Sequence, residues 1–176
     1  MKVAVLRGIE KLELEERPVP RPKAHDVLVR VSCTGICGTD LGASRSLSLP
    51  AGTIMGHEFA GWVEAVGEKV ANCVPGDRVV VRPCSVCFKC PWCQEGRISL
   101  CPHHLEETVG LKNVDGAYAE YTLVQDYQVF HMPDFMTMEQ AAQLEPLAVA
   151  VHAVEESRLT PDSRVLIIGA GSIGLL

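Results

Sequence analysis

Short stretches that alternate apolar and polar residues dominate the first 130 positions of the chain. Residues 11–16 alternate leucine with charge, and residues 26–33 alternate apolar with polar groups, the two-residue period of a half-buried strand. Residues 2–7 and 59–66 are further β-rich runs, the latter ended by Gly67. Pro75-Gly76-Asp77 signals a turn before the β-branched run 78–82. Residues 117–124 and 128–132 complete the set. The Arg17-Pro18-Val19-Pro20-Arg21-Pro22 segment breaks any ladder and reads as an extended edge or loop. Many short strands separated by glycine and proline predict a mainly β fold with short helices, a barrel or a partly open sandwich.

The pattern changes at Pro133. Residues 137–157 have helical composition, with apolar positions at Ala141, Leu144, Ala148 and Val151. Thr137 is placed to cap this helix, with Gln140 as the reciprocal partner of a capping box. Pro146 is expected to break it after Glu145, giving two helical pieces with Glu145 near the joint. Thr160-Pro161-Asp162 is a turn, residues 164–168 read as a buried strand, and Gly169 opens a glycine-rich turn. The expected organisation is one mainly β domain over residues 1–146, then a linking helix and the start of a second domain over 147–176.

Composition narrows the classes. At 47% hydrophobic and 22% charged residues, the 176-residue chain is expected to fold rather than remain disordered. A net charge of −6 argues against a nucleic-acid partner, because phosphate binding requires a basic face. The apolar run at the N-terminus is too short for a signal peptide, and no run approaches the ~18 apolar residues of a membrane span. The expectation is a cytoplasmic protein without a membrane partner.

In a reducing compartment clustered cysteines point to metal rather than disulfides. Five of the eight cysteines lie between Cys84 and Cys101. Cys87, Cys90, Cys93 and Cys101 have the spacing of a closed tetrahedral structural zinc site, with Gly96 helping the longer segment fold over the fourth face. Iron–sulfur clusters also take four cysteines. Cys84 likewise precedes Cys87 by a two-residue gap, so a Cys84-Cys87-Cys90-Cys93 set is a rival. Three consecutive gaps of that length crowd one ion, which favours Cys101 as the fourth ligand. Only Lys89 and Arg97 are basic within the lobe, so nucleic-acid reading by it is not expected.

A second, dispersed set comprises Cys37, His57, Glu58 and Glu145. One thiolate, one imidazole and a carboxylate can hold zinc while leaving a position for water or substrate. A hydroxyl at Thr39 is placed to relay a proton, and Asp40 to orient the His57 ring. Spacing alone does not bring these segments together.

The ordered motifs GICGTD, GHEFAGWVEAVG, PGDRVVV, CFKCPWCQEGRISLC, QLEPLAVAVHA and VLIIGAGSIG resemble the zinc-containing medium-chain dehydrogenase/reductase superfamily of alcohol, sorbitol and threonine dehydrogenases. The resemblance implies an N-terminal GroES-like partly open β-barrel and the first strand of an α/β Rossmann domain that binds NAD or NADP. It implies Cys37, His57 and Glu58 at a catalytic zinc, with Glu58 a third ligand or a carboxylate that exchanges with water. Glu145 stands where the simplest alcohol dehydrogenases carry a cysteine, as in the sorbitol, threonine and butanediol branch. Thr39 matches the proton relay, and Cys87, Cys90, Cys93 and Cys101 match a structural zinc. Two zinc ions, an alcohol or polyol substrate, and a homodimeric or homotetrameric full-length protein are the corresponding expectations. Two departures stand out: Gly42 occupies a position that is often histidine in the polyol and threonine branch, and Cys84 lies outside the pattern.

Gly169-Ala170-Gly171-Ser172-Ile173-Gly174 fits G-x-G-x-x-G. Gly169, Gly171 and Gly174 permit a tight turn and close approach to a pyrophosphate at a helix start. The acidic residue expected about 20 positions later to meet the ribose falls outside these 176 residues. By themselves they are therefore expected to bind zinc without oxidising an alcohol.

Overall fold

A computed structural model describes residues 1–46, 48–104, 106–111 and 113–176. The first two strands, β1 (Lys2–Gly8) and β2 (Lys11–Glu16), form an antiparallel hairpin. Val3, Val5 and Leu6 of β1 are buried, while Leu12 and Leu14 of β2 are exposed. Five further strands follow: β3 (Asp26–Thr34), β4 (Phe59–Val66), β5 (Arg78–Val81), β6 (Tyr121–Gln125) and β7 (Val129–His131). They make one antiparallel sheet in the order β6-β3-β4-β5-β7. The fold is mainly β, as expected, and the sheets are open. Isolated bridges from Val3 to Ala119 and from Val5 to Ile54 tie the hairpin to the larger body.

The core lies against the middle strands. Val27 and Val29 of β3, Phe59 and Val63 of β4, and Val79 and Val81 of β5 pack together, all nearly inaccessible to water. The β3–β4 register shifts between Leu28 and Val29 and again between Val31 and Cys33. Such bulges increase local twist and let a sheet curl around its core. The expected strand over 117–124 is ladder-paired only from Tyr121, because the residues before it are engaged by β1 and by the turn at Gly56.

The helices differ more from expectation. Residues 38–46, rich in glycine and serine, form α1 (Gly38–Ser46), which the sequence pattern does not announce. A short α2 (Pro91–Gln94) carries Cys93. In α3 (Met138–Ala142) the capping box is present: the Gln140 N–H donates to Thr137 Oγ1 at 3.2 Å, and the Thr137 N–H to Gln140 Oε1 at 2.9 Å. The expected break after Glu145 falls instead at Gln143, before α4 (Leu144–Glu156). Pro146 is the third residue of α4, where its missing N–H would have had no intrahelical partner. The expected strand at 164–168 is not formed. No strand among the described residues pairs with it, and Leu166 and Ile168 are 83% and 90% exposed. A strand exists only through its neighbours' hydrogen bonds. The chain then turns into α5 (Ser172–Leu175). No helix among the described residues is long and apolar enough to cross a membrane.

Candidate metal centres and cleft

Three of the four dispersed candidates meet in space. Cys37 sits immediately before α1, and Asp40 lies in that helix's first turn. The Cys37 N–H donates to Asp40 Oδ2 at 3.0 Å, and the Thr39 N–H donates to the Cys37 sulfur at 3.4 Å. Free N–H groups at the start of a helix favour negative charge there. His57 and Glu58 come from the turn entering β4. That turn needs Gly56, whose φ is +94° and whose Cα lies against the Tyr118 ring. The Gly35 N–H donates to the Glu58 carbonyl at 2.6 Å, and any side chain at Gly35 would overlap the Glu58 carboxylate.

One ligand atom from each of Cys37, His57 and Glu58 lies within 4.8 Å of the others. Zinc bonds of about 2.0–2.3 Å in a tetrahedron separate ligand atoms by roughly 3.3–3.8 Å. The group therefore fits an ion after a small contraction. His57 and Glu58 are each 6% exposed, and Asp40 is 2% exposed. His57 Nδ1 and Asp40 Oδ1 face each other at 3.5 Å, both buried and neither with a hydrogen-bond partner. Burial opposes charge on the His57 ring, but Asp40 and then Cys37 outweigh it and push its pKa up to about 9.

Glu145, second residue of α4, does not join this group. It lies within electrostatic reach: burial raises its pKa, His57 lowers it and Glu58 raises it again. Glu145 lines a separate cavity of about 530 Å³ with Arg82, Cys84 and His104. Burial, and then the Glu145 charge, raise the Cys84 pKa.

The second cluster is Cys87, Cys90, Cys93 and Cys101, the set with Cys101 rather than Cys84. The Cys87 and Cys93 sulfurs are 3.8 Å apart and those of Cys90 and Cys93 are 3.4 Å apart. These distances far exceed a disulfide bond of about 2.05 Å. They match the tetrahedral edge of about 3.8 Å set by zinc–sulfur bonds of about 2.3 Å. Local structure makes the cluster: Phe88 takes φ +55° between the first pair, and α2 delivers Cys93. The backbone N–H groups of Lys89 and Cys90 draw the Cys87 thiol down to about 6, whereas burial and the Cys90 and Cys101 thiols push Cys93 up to about 12. Four sulfurs gathered this closely form a group that could hold a metal ion.

Cys37, Thr39 and Glu58 also line a cleft of about 710 Å³. Ala150 and Val154 of α4 form part of its wall, and Gly169, Gly171 and Gly174 form another. Thr39 is exposed at this cleft. The glycine turn is tight: a side chain at Gly174 would overlap the Gly169 carbonyl. Sequence reasoning missed Tyr118, whose hydroxyl donates to Asp40 Oδ2 at 2.9 Å. No local spacing signals a contact between residues 78 positions apart.

A family model for the alcohol dehydrogenase GroES-like domain matches residues 23–134. The chain is 38% identical over 181 residues to a sorbitol dehydrogenase of Bacillus subtilis, covering 100% of this chain and 51% of that protein. It is 36% identical over 178 residues to a D-xylulose reductase A of Aspergillus oryzae, covering 98% and 49%. Among solved structures, galactitol-1-phosphate dehydrogenase from Escherichia coli superposes with a TM-score of 0.92 at 35% identity, over 99% of this chain and 50% of that one. A cobalt- and zinc-bound thermostable alcohol dehydrogenase from Pyrobaculum aerophilum gives a TM-score of 0.91 at 30% identity, over 99% and 54%. The chain spans about half the length of the curated relatives it matches.

Proposed function

The chain belongs to the alcohol dehydrogenase GroES-like domain family, and on that premise we propose that it is the catalytic part of a zinc-dependent oxidoreductase that moves hydride between NAD or NADP and a secondary alcohol or polyol. The observation that carries this reading is the convergence of Cys37, His57 and Glu58 on one point that opens into the cleft holding the Gly169–Gly174 turn. The names of the relatives, sorbitol dehydrogenase and D-xylulose reductase, favour a polyol.

Cys37 Sγ, His57 Nε2 and a Glu58 carboxylate oxygen would hold the catalytic zinc, with Glu145 near enough to approach. A zinc ion there supplies Lewis-acid polarisation, which brings the O–H of a bound alcohol toward ionisation near neutral pH. Thr39 Oγ1 stands at the cleft to accept the released proton and pass it outward. Asp40 Oδ1, 3.5 Å from His57 Nδ1, would orient the ring so that Nε2 meets the ion. Gly169, Gly171 and Gly174 offer close backbone approach to a cofactor pyrophosphate at the start of α5. Cys87, Cys90, Cys93 and Cys101 would hold a second zinc with no open position, a structural role. The domain reading is a catalytic unit over residues 1–146 and the beginning of a nucleotide-binding unit over 147–176. The whole enzyme would work as a homodimer or homotetramer.

Metal analysis by mass spectrometry tests the centre. Wild type should carry about two zinc ions per chain, and Cys37→Ser and Cys93→Ser should each lose a different one. Equal metal content in Cys37→Ser and wild type would sink the catalytic site. In the enzyme containing this chain, Cys37→Ser should abolish alcohol-dependent reduction of NAD or NADP.

A second reading concerns these 176 residues as an isolated polypeptide: a zinc-binding module without turnover. It rests on the exposed, unpaired state of residues 165–168, which leaves the glycine turn without a sheet beside it. Alcohol oxidation by the isolated polypeptide with added NAD would contradict it.

A further inference from the structure

We propose that Tyr118 is a positioning residue for the Cys37–His57–Glu58 centre, its hydroxyl fixing the carboxylate of Asp40 that orients both Cys37 and His57. This rests on the metal-binding reading above and extends it to a residue outside the ligand set.

Asp40 is the hub. One of its oxygens, Oδ2, accepts the Cys37 backbone N–H at 3.0 Å and the Tyr118 hydroxyl at 2.9 Å. The other, Oδ1, faces His57 Nδ1 at 3.5 Å; both atoms are buried and neither has a hydrogen-bond partner. A carboxylate held by one donor can rotate about its χ2 bond. Two donors on the same oxygen fix the plane, and with it the direction in which Oδ1 meets the imidazole. The Tyr118 hydroxyl supplies the second donor.

The rest of Tyr118 is placed for the same task. Its N–H donates to the Met55 carbonyl at 2.9 Å, and its carbonyl accepts the Ala4 N–H at 2.7 Å. Its ring lies on Gly56 so closely that a methyl group there would come within 2.6 Å of Cδ1. One residue thus braces the turn that delivers His57 and Glu58 and also the carboxylate that anchors the segment delivering Cys37. These two segments leave the end of the β3–β4 ladder side by side, Thr34 opposite Phe59 and the Gly35 N–H on the Glu58 carbonyl, and Tyr118 braces them beyond that end. Ring packing explains an aromatic residue at 118; only the hydrogen bond to Asp40 uses a hydroxyl.

The test is Tyr118→Phe in the full chain, which keeps the ring and removes the hydroxyl. Zinc affinity at the Cys37 site is measured by competition with a chelator, and its ligand field by the absorption spectrum of the cobalt(II)-substituted protein. Loss of a group that supports ligands typically weakens metal binding roughly 10- to 100-fold. That loss, with a shifted cobalt band and unchanged binding at the four-cysteine lobe, is expected. The melting temperature of the metal-free chain should change little. In an Asp40→Ala background, Tyr118→Phe should add no further loss, because both act through one carboxylate. Wild-type affinity and spectrum in Tyr118→Phe, or additive losses in the double variant, would overturn the proposal while leaving the metal site intact. Failure of Cys37→Ser to lower metal content would overturn the site and the proposal together.

Discussion

Substituting Gly56 by alanine should empty one metal centre and spare the other. Gly56 has φ +94°, a conformation that side-chain-bearing residues adopt at a cost of roughly 1–2 kcal/mol. The added methyl would meet the Tyr118 ring at 2.6 and 2.8 Å and the Tyr118 backbone nitrogen at 2.9 Å. Relief by backward movement is blocked, since Gly110 and Gly116 already pack against the Gly56 carbonyl. Forcing a methyl group into such a contact costs a further 1–3 kcal/mol or so. The sum, about 2–5 kcal/mol, corresponds to a fall in melting temperature of roughly 4–20 °C for a chain of this size. The strain lands on the residue before His57, so the His57 and Glu58 ligand atoms should move away from Cys37. The assay pairs differential scanning calorimetry of the metal-free chain with zinc counting on the loaded one. Gly56→Ala should lose one zinc and keep the ion expected at Cys87, Cys90, Cys93 and Cys101, a group separate from Cys37, His57 and Glu58. A variant with wild-type melting temperature and full metal content would refute the argument, because the turn would then have room to relax.

Two further outcomes follow from the charges around the site. In the metal-free chain, the stability that His57 gains from Asp40 is fully present below its unfolded pKa of about 6.5 and is lost as pH rises through about 9. Melting temperature should accordingly decline across that window, and His57→Gln should flatten this part of the profile; an unchanged slope in the variant counts against the pairing. Glu145→Ala should retain zinc at the Cys37 site, since Glu145 stands outside the converging group, so a loss of zinc equal to that of Cys37→Ser would place Glu145 in the coordination shell itself.

How much of this was legible in the sequence depends on the distance over which each feature is decided. The capping box at Thr137 and Gln140 is a three-residue affair, and it forms as read. The strand 59–66 follows from a β-rich run and a closing glycine, and its bounds agree with the structure. The Cys87–Cys101 lobe is also local: its gaps are short enough that turns at Phe88 and within α2 suffice to gather the sulfurs. Helix α1 was not legible, because Gly38, Thr39, Gly42 and Ser46 are weak helix formers. Its first turn is held by the Asp40 carboxylate, which is itself held from Tyr118. The break placed at Pro146 moved to Gln143 because proline fits the first turn of a helix as readily as it ends one.

The amino-acid order alone determined the mainly β character, the preferred four-cysteine candidate set, the glycine turn and the residue types available for an open metal site. Each depends on period or spacing within a few residues. Tertiary structure alone decided that Cys37, His57 and Glu58 converge, that Glu145 lies outside that group and that Cys84 faces a different cavity. The reason is the same in every case. Side-chain convergence and ladder pairing are set by which distant segments the β3–β4 core and the Gly56 turn bring into contact, and a one-dimensional pattern carries no direction for a side chain until its backbone is pinned by neighbours from elsewhere in the chain.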